Sequence, residues 1–303
     1  MRWWPADEPL VTPGGHPCPV CGEATREAGA RRGNLSERVY ALRHCPSCRF
    51  SFVVDPPTDL DAIYAEAYYR GEGADPLVDY EWELAHASET IRRYEWRGIA
   101  SIVASLTPVG PGTRWLDFGS GVGGLVDHCR RVHGVDAIGY EDGWGGRRAR
   151  ERGIPVVDEA GLGALDGTCD VVTAVEVLEH IPDPVAALAR IRRLLRPGGL
   201  LFLTTGNAEP QRSRLAEWPY VIPEIHVSFF EPATMETALR RAGLRPERVG
   251  YRPGFTDVIR FKVLKNLHRR RCSPLERLVP WPLVSRVLDH RIGVSAHPVG
   301  WAE

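Results

Sequence analysis

Hydrophobic and polar positions change their spacing several times along the chain, and each change marks an element. From Arg114 onward, short apolar runs alternate with amphipathic stretches. They predict strands at 114–118, 135–140, 154–157, 170–175 and 199–205, with helices at 123–132, 144–152 and 184–195 between them. Strands alternating with helices imply an α/β fold built on a doubly wound, mostly parallel sheet. Upstream the period is helical. Leu60–Tyr69 and Tyr80–Leu106 read as helices, with Ile91, Tyr94, Ile99, Ile102, Val103 and Leu106 at three- and four-residue intervals. Downstream a helix at 232–242, a strand at 245–251 and a mostly helical tail at 253–291 are expected. Residues 292–298 would return as an edge strand, because Pro298 cannot sit centrally in a sheet. Pro56 and Pro57 separate a first segment, 1–55, from a helical cover, 56–110. The core is 111–303, with a helical insertion at about 253–291.

The strand ending at Phe118 opens directly into glycines: Asp117-Phe-Gly119-Ser120-Gly121-Val-Gly123-Gly124. Glycines at a strand-to-helix turn allow positive φ and close backbone approach to a ligand. Gly119, Gly121 and Gly124 also satisfy the spacing of a dinucleotide site. Asp117 separates the two readings. A carboxylate beside the turn repels a pyrophosphate but suits a ligand carrying ammonium and sulfonium charges, as S-adenosylmethionine does. About twenty residues on, Glu141 ends the second strand, where an acid can accept hydrogen bonds from both ribose hydroxyls.

The segments Glu176-Val-Leu-Glu179-His180 and Pro197-Gly198-Gly199, with the glycine turn, occur in an order that resembles the class I S-adenosylmethionine-dependent methyltransferases, over about Asp61 to Tyr251. The resemblance implies a Rossmann-like methyltransferase core. It also implies that Asp117 and the backbone of Gly119, Ser120, Gly121 and Gly123 hold the methionine part, and that Glu141 takes the ribose. Asp158 (or Glu159) would reach the adenine amine, and Ala174 and Val175 would wall the sulfonium. Tyr69 would cover the cofactor or, equally, pack in the core.

The acceptor should lie beyond the carboxyl ends of the fourth and fifth strands. That brings Glu179, His180 and His226 forward as catalytic candidates. His226 can take a proton as the methyl group arrives, or can simply pack a loop. In quinone O-methyltransferases a similar E-x-x-E-H segment is associated with a divalent cation. Here Glu179 and His180 either take part in such chemistry, with Glu176, or only cap the helix starting near Asp183.

Cys18-x-x-Cys21 and Cys45-x-x-Cys48 are two knuckles within the first fifty residues. Each is a turn aiming two thiolates at one point, and together they complete a tetrahedral site, so 1–55 reads as a zinc ribbon holding structural Zn²⁺. A ribbon followed by a methyltransferase core is similar to sugar C-methyltransferases, although those enzymes carry a large C-terminal domain where about fifty residues follow Tyr251 in this sequence. The expected acceptor is a small polar molecule, sugar-derived for preference or a natural product. RNA methylation through the ribbon and quinone-type O-methylation are the alternatives.

A net charge of −1 over 303 residues recruits neither nucleic acid nor an anionic membrane. No apolar run approaches the roughly 20 residues of a membrane span, and the N-terminus lacks a signal-peptide core. The chain is expected to be cytoplasmic, without a membrane or nucleic-acid partner. Oligomeric state, acceptor and methylated atom stay open.

Overall fold

Three antiparallel strands, β1 (Arg26–Arg32), β2 (Val39–His44) and β3 (Ser51–Val53), carry the two cysteine knuckles at their bases. The computed structural model describes residues 15–76, 79–247, 249, 251–291 and 301–302. The ribbon does not stand apart from the rest of the chain. β9 (Ser228–Phe229), almost two hundred residues downstream, pairs antiparallel with β3, so four strands run in the order β1-β2-β3-β9. Cys18, Cys45, Cys48 and Phe50 are buried in the same apolar core as the main sheet.

The two helices expected before that sheet are each broken. α1 (Leu60–Ile63) stops at Tyr64, and α2 (Glu66–Tyr69) restarts after an extended Ala65. α3 (Tyr80–Ala85) and α4 (Arg92–Leu106) are separated at 86–91, where the backbone turns outward to pair with the tail. There Cys272 N donates to Glu89 O, and Ile91 N donates to Arg270 O. Periodicity saw the apolar stripe but not this long-range pairing.

The main sheet holds β4 (Arg114–Phe118), β5 (Asp136–Tyr140), β6 (Val156–Val157), β7 (Cys169–Val175) and β8 (Leu195–Thr204). Its order is β10-β11-β8-β7-β4-β5-β6, with β8 through β6 parallel. α5 (Gly124–His133), α6 (Gly143–Glu151), α7 (Glu159–Leu162) and α8 (Pro184–Leu194) connect these strands. α8 starts where its sequence asks, with Asp183 accepting from Ala186 N and Pro184 in the first turn. Trp115, Leu116, Phe118, Tyr140 and Phe202 are fully buried between sheet and helices. Each such side chain contributes about 1.5–3 kcal/mol by leaving water.

After α9 (Pro232–Arg241), the strand expected at 245–251 shrinks to β10 (Leu244–Arg245). The tail forms α10 (Pro253–Asn266) and α11 (Trp281–Arg291). The edge strand expected at 292–298 falls outside the described residues. β11 (Trp301–Ala302) enters antiparallel between β8 and β10. Among the described residues, no helix is long and apolar enough to cross a membrane.

Candidate active site

The carboxyl ends of the parallel strands open into a cavity of about 560 Å³. Its floor is the glycine turn after β4. Gly119, Gly121 and Gly123 take φ of 78°, 54° and 84°, a left-handed path that side-chain-bearing residues rarely follow. Glu141, from the end of β5, braces this turn. Its carboxylate accepts from Gly121 N at 2.9 Å and from the Tyr69 hydroxyl at 3.4 Å. Asp117 accepts from Thr173 Oγ1 at 2.7 Å, and Thr173 in turn accepts from Trp115 Nε1 at 3.0 Å. Burial pushes Asp117 up to about 7 and Glu141 up to about 8, with the bond from Gly121 N only partly offsetting it. Two buried acids under a glycine turn suit a ligand that brings positive charge and hydroxyl donors.

Asp117, Gly119, Ser120, Gly121, Glu141, Val175 and Tyr69 all line the cavity, whereas Gly123, Asp158 and Ala174 do not. Gly123 is the N-cap of α5. Asp158 caps α7 by accepting from Gly161 N at 3.1 Å, and Glu159 is engaged by the Tyr140 hydroxyl and Arg190. Ala174 lies inside β7, fully buried. Both acids after the third strand thus have partners within the protein.

The opposite wall comes from the segment after β7 and the 205–227 loop. Glu176 sits at the end of β7 with φ 54°. It accepts from Thr204 Oγ1 and from Lys262 Nζ, both at 3.0 Å. Burial would raise its carboxyl, but the Lys262 ammonium outweighs this and holds it at about 2. Glu179 accepts from the Tyr220 hydroxyl at 2.6 Å and from Thr205 Oγ1 at 2.8 Å. Burial, then the neighbouring Glu176 charge, push it up to about 8. Leu178–His180 is a short 3₁₀ turn, and Asp183 itself caps α8, so Glu179 and His180 do not.

His180 and His226 face one another with ring centroids 4.9 Å apart. His226 Nδ1 lies 2.6 Å from Tyr220 O, and His180 Nδ1 lies 2.7 Å from Ile225 O and 2.9 Å from the Tyr64 hydroxyl. A carbonyl can only accept, so each Nδ1 carries the proton and each Nε2 is left as a lone-pair site. Burial keeps both imidazoles neutral, His180 at about 3 and His226 below its ordinary value. One ligand atom each from Glu179, His180 and His226 falls within 4.8 Å of the others, a grouping that could hold a metal ion. Tyr220 stacks on His226 at 4.2 Å, and Trp218 stacks on Tyr220 at 4.6 Å.

Sequence reading missed the contribution of α10 to this wall. Lys262 and Lys265 are the only lysines of the chain, and both line the cavity. Their rarity among so many arginines was the one signal that could have found them. Lys265 Nζ lies 3.5 Å from Asp75, and Arg92 is clamped between Glu83 and Glu95 at 2.9 and 2.6 Å. Even so, the lining carries Asp75, Glu83, Glu95, Asp117, Glu141, Glu176 and Glu179 against Arg92, Lys262 and Lys265. Carboxyl groups outnumber cations, and the cations are paired.

At the ribbon, Cys18 Sγ lies 3.4 Å from Cys48 Sγ, and Cys21 Sγ lies 3.5 Å from Cys45 Sγ. All four sulfurs fall within 4.8 Å of one another. Tetrahedral bonds of about 2.3 Å to one zinc place sulfurs at such separations, so this donor set fits the ion.

Comparison with known proteins agrees with this geometry. Residues 89–249, just over half of the chain, match the family described as "Methyltransferase domain". The ubiquinone biosynthesis O-methyltransferase of Methylococcus capsulatus is 33% identical over 163 residues, 47% of this chain and 68% of that protein. The protein of the same name from Bordetella avium is 30% identical over 186 residues, 55% of this chain and 73% of that protein. Among solved structures, a chain from the Haloferax volcanii complex of the Trm112 methyltransferase activator with a methyltransferase superposes with a TM-score of 0.52. It is 20% identical, covering 80% of this chain and 97% of that one, which speaks to the fold alone.

Proposed function

The chain belongs to the methyltransferase-domain family, an enzyme that takes its methyl group from S-adenosylmethionine, and we propose that it methylates a hydroxyl of a small, uncharged acceptor with His226 as the general base. The observation that carries this reading is the Tyr220 carbonyl holding the His226 Nδ1 proton at 2.6 Å. It leaves Nε2 of this cavity-lining residue unprotonated. Methyl transfer is an in-line displacement, so the cavity aligns donor and acceptor and the base removes the hydroxyl proton as the carbon–oxygen bond forms. Asp117 and Glu141 would hold the cofactor's ammonium and ribose. The cations of this lining, Arg92, Lys262 and Lys265, are each already paired with a carboxylate, which argues against a phosphate-bearing acceptor. A nucleotide-linked sugar is thereby disfavoured relative to a free polyol or a catechol.

The ribbon is read as a zinc site, held by Cys18, Cys21, Cys45 and Cys48, in a structural role. RNA is not expected to dock on it, because three of its arginines are engaged within the protein. Arg31 donates to Ala216 O at 3.0 Å, Arg38 to Asp55 O at 2.8 Å and Arg43 to Thr25 Oγ1 at 2.7 Å. Labelled S-adenosylmethionine offered with catechol, a free polyol, nucleotide-sugars and RNA tests the assignment. Label transferred to RNA or to a nucleotide-sugar, and none to catechol or a polyol, would sink it.

A second reading rests on the Glu179, His180 and His226 grouping. Both imidazoles have Nδ1 tied to backbone carbonyls, the arrangement that aims Nε2 at a metal. A divalent cation there would lower the pKa of an acceptor hydroxyl, as suits a vicinal diol. Turnover that disappears on chelation and returns with magnesium or manganese, at unchanged zinc content, would select it.

A further inference from the structure

His226 lies on a loop whose geometry is set from outside the methyltransferase core. Two residues before it, Glu224 is 4% exposed and points into the hairpin turn between β1 and β2. Its carboxylate accepts from Asn34 N and Leu35 N, both at 3.0 Å, and from Ser36 Oγ at 3.4 Å. A Cβ on Gly33 would stand 1.9 Å from Glu224 Oε1, so an alanine there displaces this carboxylate. Immediately after His226, Val53 N donates to Val227 O at 2.9 Å, and β3 pairs with Ser228 and Phe229. On its other edge, Val227 N donates to Glu179 O at 2.7 Å, and Ser228 Oγ donates to Ile181 O at 2.6 Å. Thr234 Oγ1 donates to Cys48 O at 2.8 Å, tying the end of this segment to a cysteine knuckle.

We infer that Glu224 is a positioning residue, the latch through which the cysteine ribbon holds the His226 loop in its working geometry. This rests on the reading of His226 as the base. The physical basis is that the loop has little regular structure of its own. Its own bonds are single turns, such as His226 N to Ile222 O at 2.7 Å, and from Val227 onward the backbone bonds run outward, to the ribbon on one side and to the Glu179 turn on the other. Remove the ribbon side, and the Nδ1–H of His226 is no longer compelled to meet Tyr220 O. The imidazole then exchanges tautomers, and Nε2 is no longer fixed as the acceptor. The ribbon thus serves the acceptor half of the site and not the cofactor half, since Asp117 and Glu141 are held by Thr173, Gly121 and Tyr69.

The test needs no acceptor and uses the full zinc-loaded chain. Glu224→Ala and Gly33→Ala are compared with wild type and with Glu224→Gln, which keeps acceptor oxygen for the turn. Imidazole ¹⁵N spectra report the His226 tautomer, hydrogen exchange reports residues 224–230, and calorimetry reports S-adenosylhomocysteine affinity. In wild type, His226 is a single Nδ1–H tautomer. In Glu224→Ala and Gly33→Ala it becomes a mixture, exchange at 224–230 quickens about tenfold or more, and cofactor affinity stays within about twofold, because the opening is local; Glu224→Gln lies between. A wild-type tautomer and wild-type protection in both alanine variants overturn the latch. So does a loss of cofactor affinity in step with the loop, which would make Glu224 a support of the whole domain. His226→Ala in a methyl-transfer assay judges the base separately: wild-type turnover there removes the base and leaves the latch measurement standing.

Discussion

Glu141 accepts a hydrogen bond from the backbone N–H of Gly121 at 2.9 Å across the mouth of the glycine turn. The acid proposed to meet a cofactor's ribose thereby also shapes the glycine turn. Burial pushes Glu141 up to about 8 and Asp117 up to about 7, so without ligand the site carries protons near neutrality. Hydroxyl donors and an ammonium favour the ionised forms. S-adenosylhomocysteine binding should therefore release protons, and its affinity should rise as pH climbs from 6 to 8. Calorimetry in buffers of different ionisation enthalpy reads this directly. Proton uptake, or an affinity that falls over that range, contradicts it.

The same two acids shape the stability of the unliganded protein. Their folded pKa values lie above the unfolded ones, so the folded state holds more protons between about pH 4 and 8. Their contribution is most favourable below the unfolded pKa and is lost as pH rises through about 7 and 8. Asp117→Asn should flatten the decline of melting temperature from pH 6 to 8, and an unchanged slope would count against it. Glu141→Ala should weaken S-adenosylhomocysteine by about 1–3 kcal/mol, the scale for removing hydrogen bonds to a charged group.

His226→Ala should reduce turnover by about 10²- to 10⁴-fold with cofactor affinity little changed. Burial keeps the His226 pKa below its ordinary value. Turnover should thus hold level above about pH 6.5 and fall only at more acid pH, as the imidazole takes up a proton. A single His180→Ala variant with the larger loss, corrected by divalent cations, would favour the metal-assisted reading.

Lys262 and Glu176 make a pair about a quarter exposed. Lys262→Met strands a carboxylate, and a partly wet site limits the cost to about 1–3 kcal/mol, below the range for fully buried pairs. Adding Glu176→Gln should recover most of that loss in a double-mutant cycle by denaturant unfolding. Additive losses would show that the pair is not coupled.

Zinc at the ribbon is checked by elemental analysis of protein purified without chelators, with about one ion per chain expected. Cys45→Ser should lose that ion. Because the ribbon sheet includes β9, the damage should extend into 224–230 by hydrogen exchange and not stop at residue 55.

The chain's local patterns alone determined the parallel core, the glycine turn with Asp117, the acid at Glu141 and the paired cysteine knuckles. Each is a short-range statement: an apolar run, a forced φ, or two thiols on one turn. Those features survive in the structure because neighbours in sequence decide them. What only the tertiary structure decided involves partners far apart. The Glu159 carboxylate is engaged by Tyr140 and Arg190, and the 80–106 stripe is cut where Glu89 and Ile91 pair with the tail. Lys262 arrives from a helix that looked like a mere insertion. β3 meets Phe229 and Glu224 meets the Gly33 turn across almost two hundred residues. Hydrogen-bond partners at that separation leave no periodic trace in either segment. Only folding, which leaves few buried polar groups unpaired, reveals which one each side chain serves.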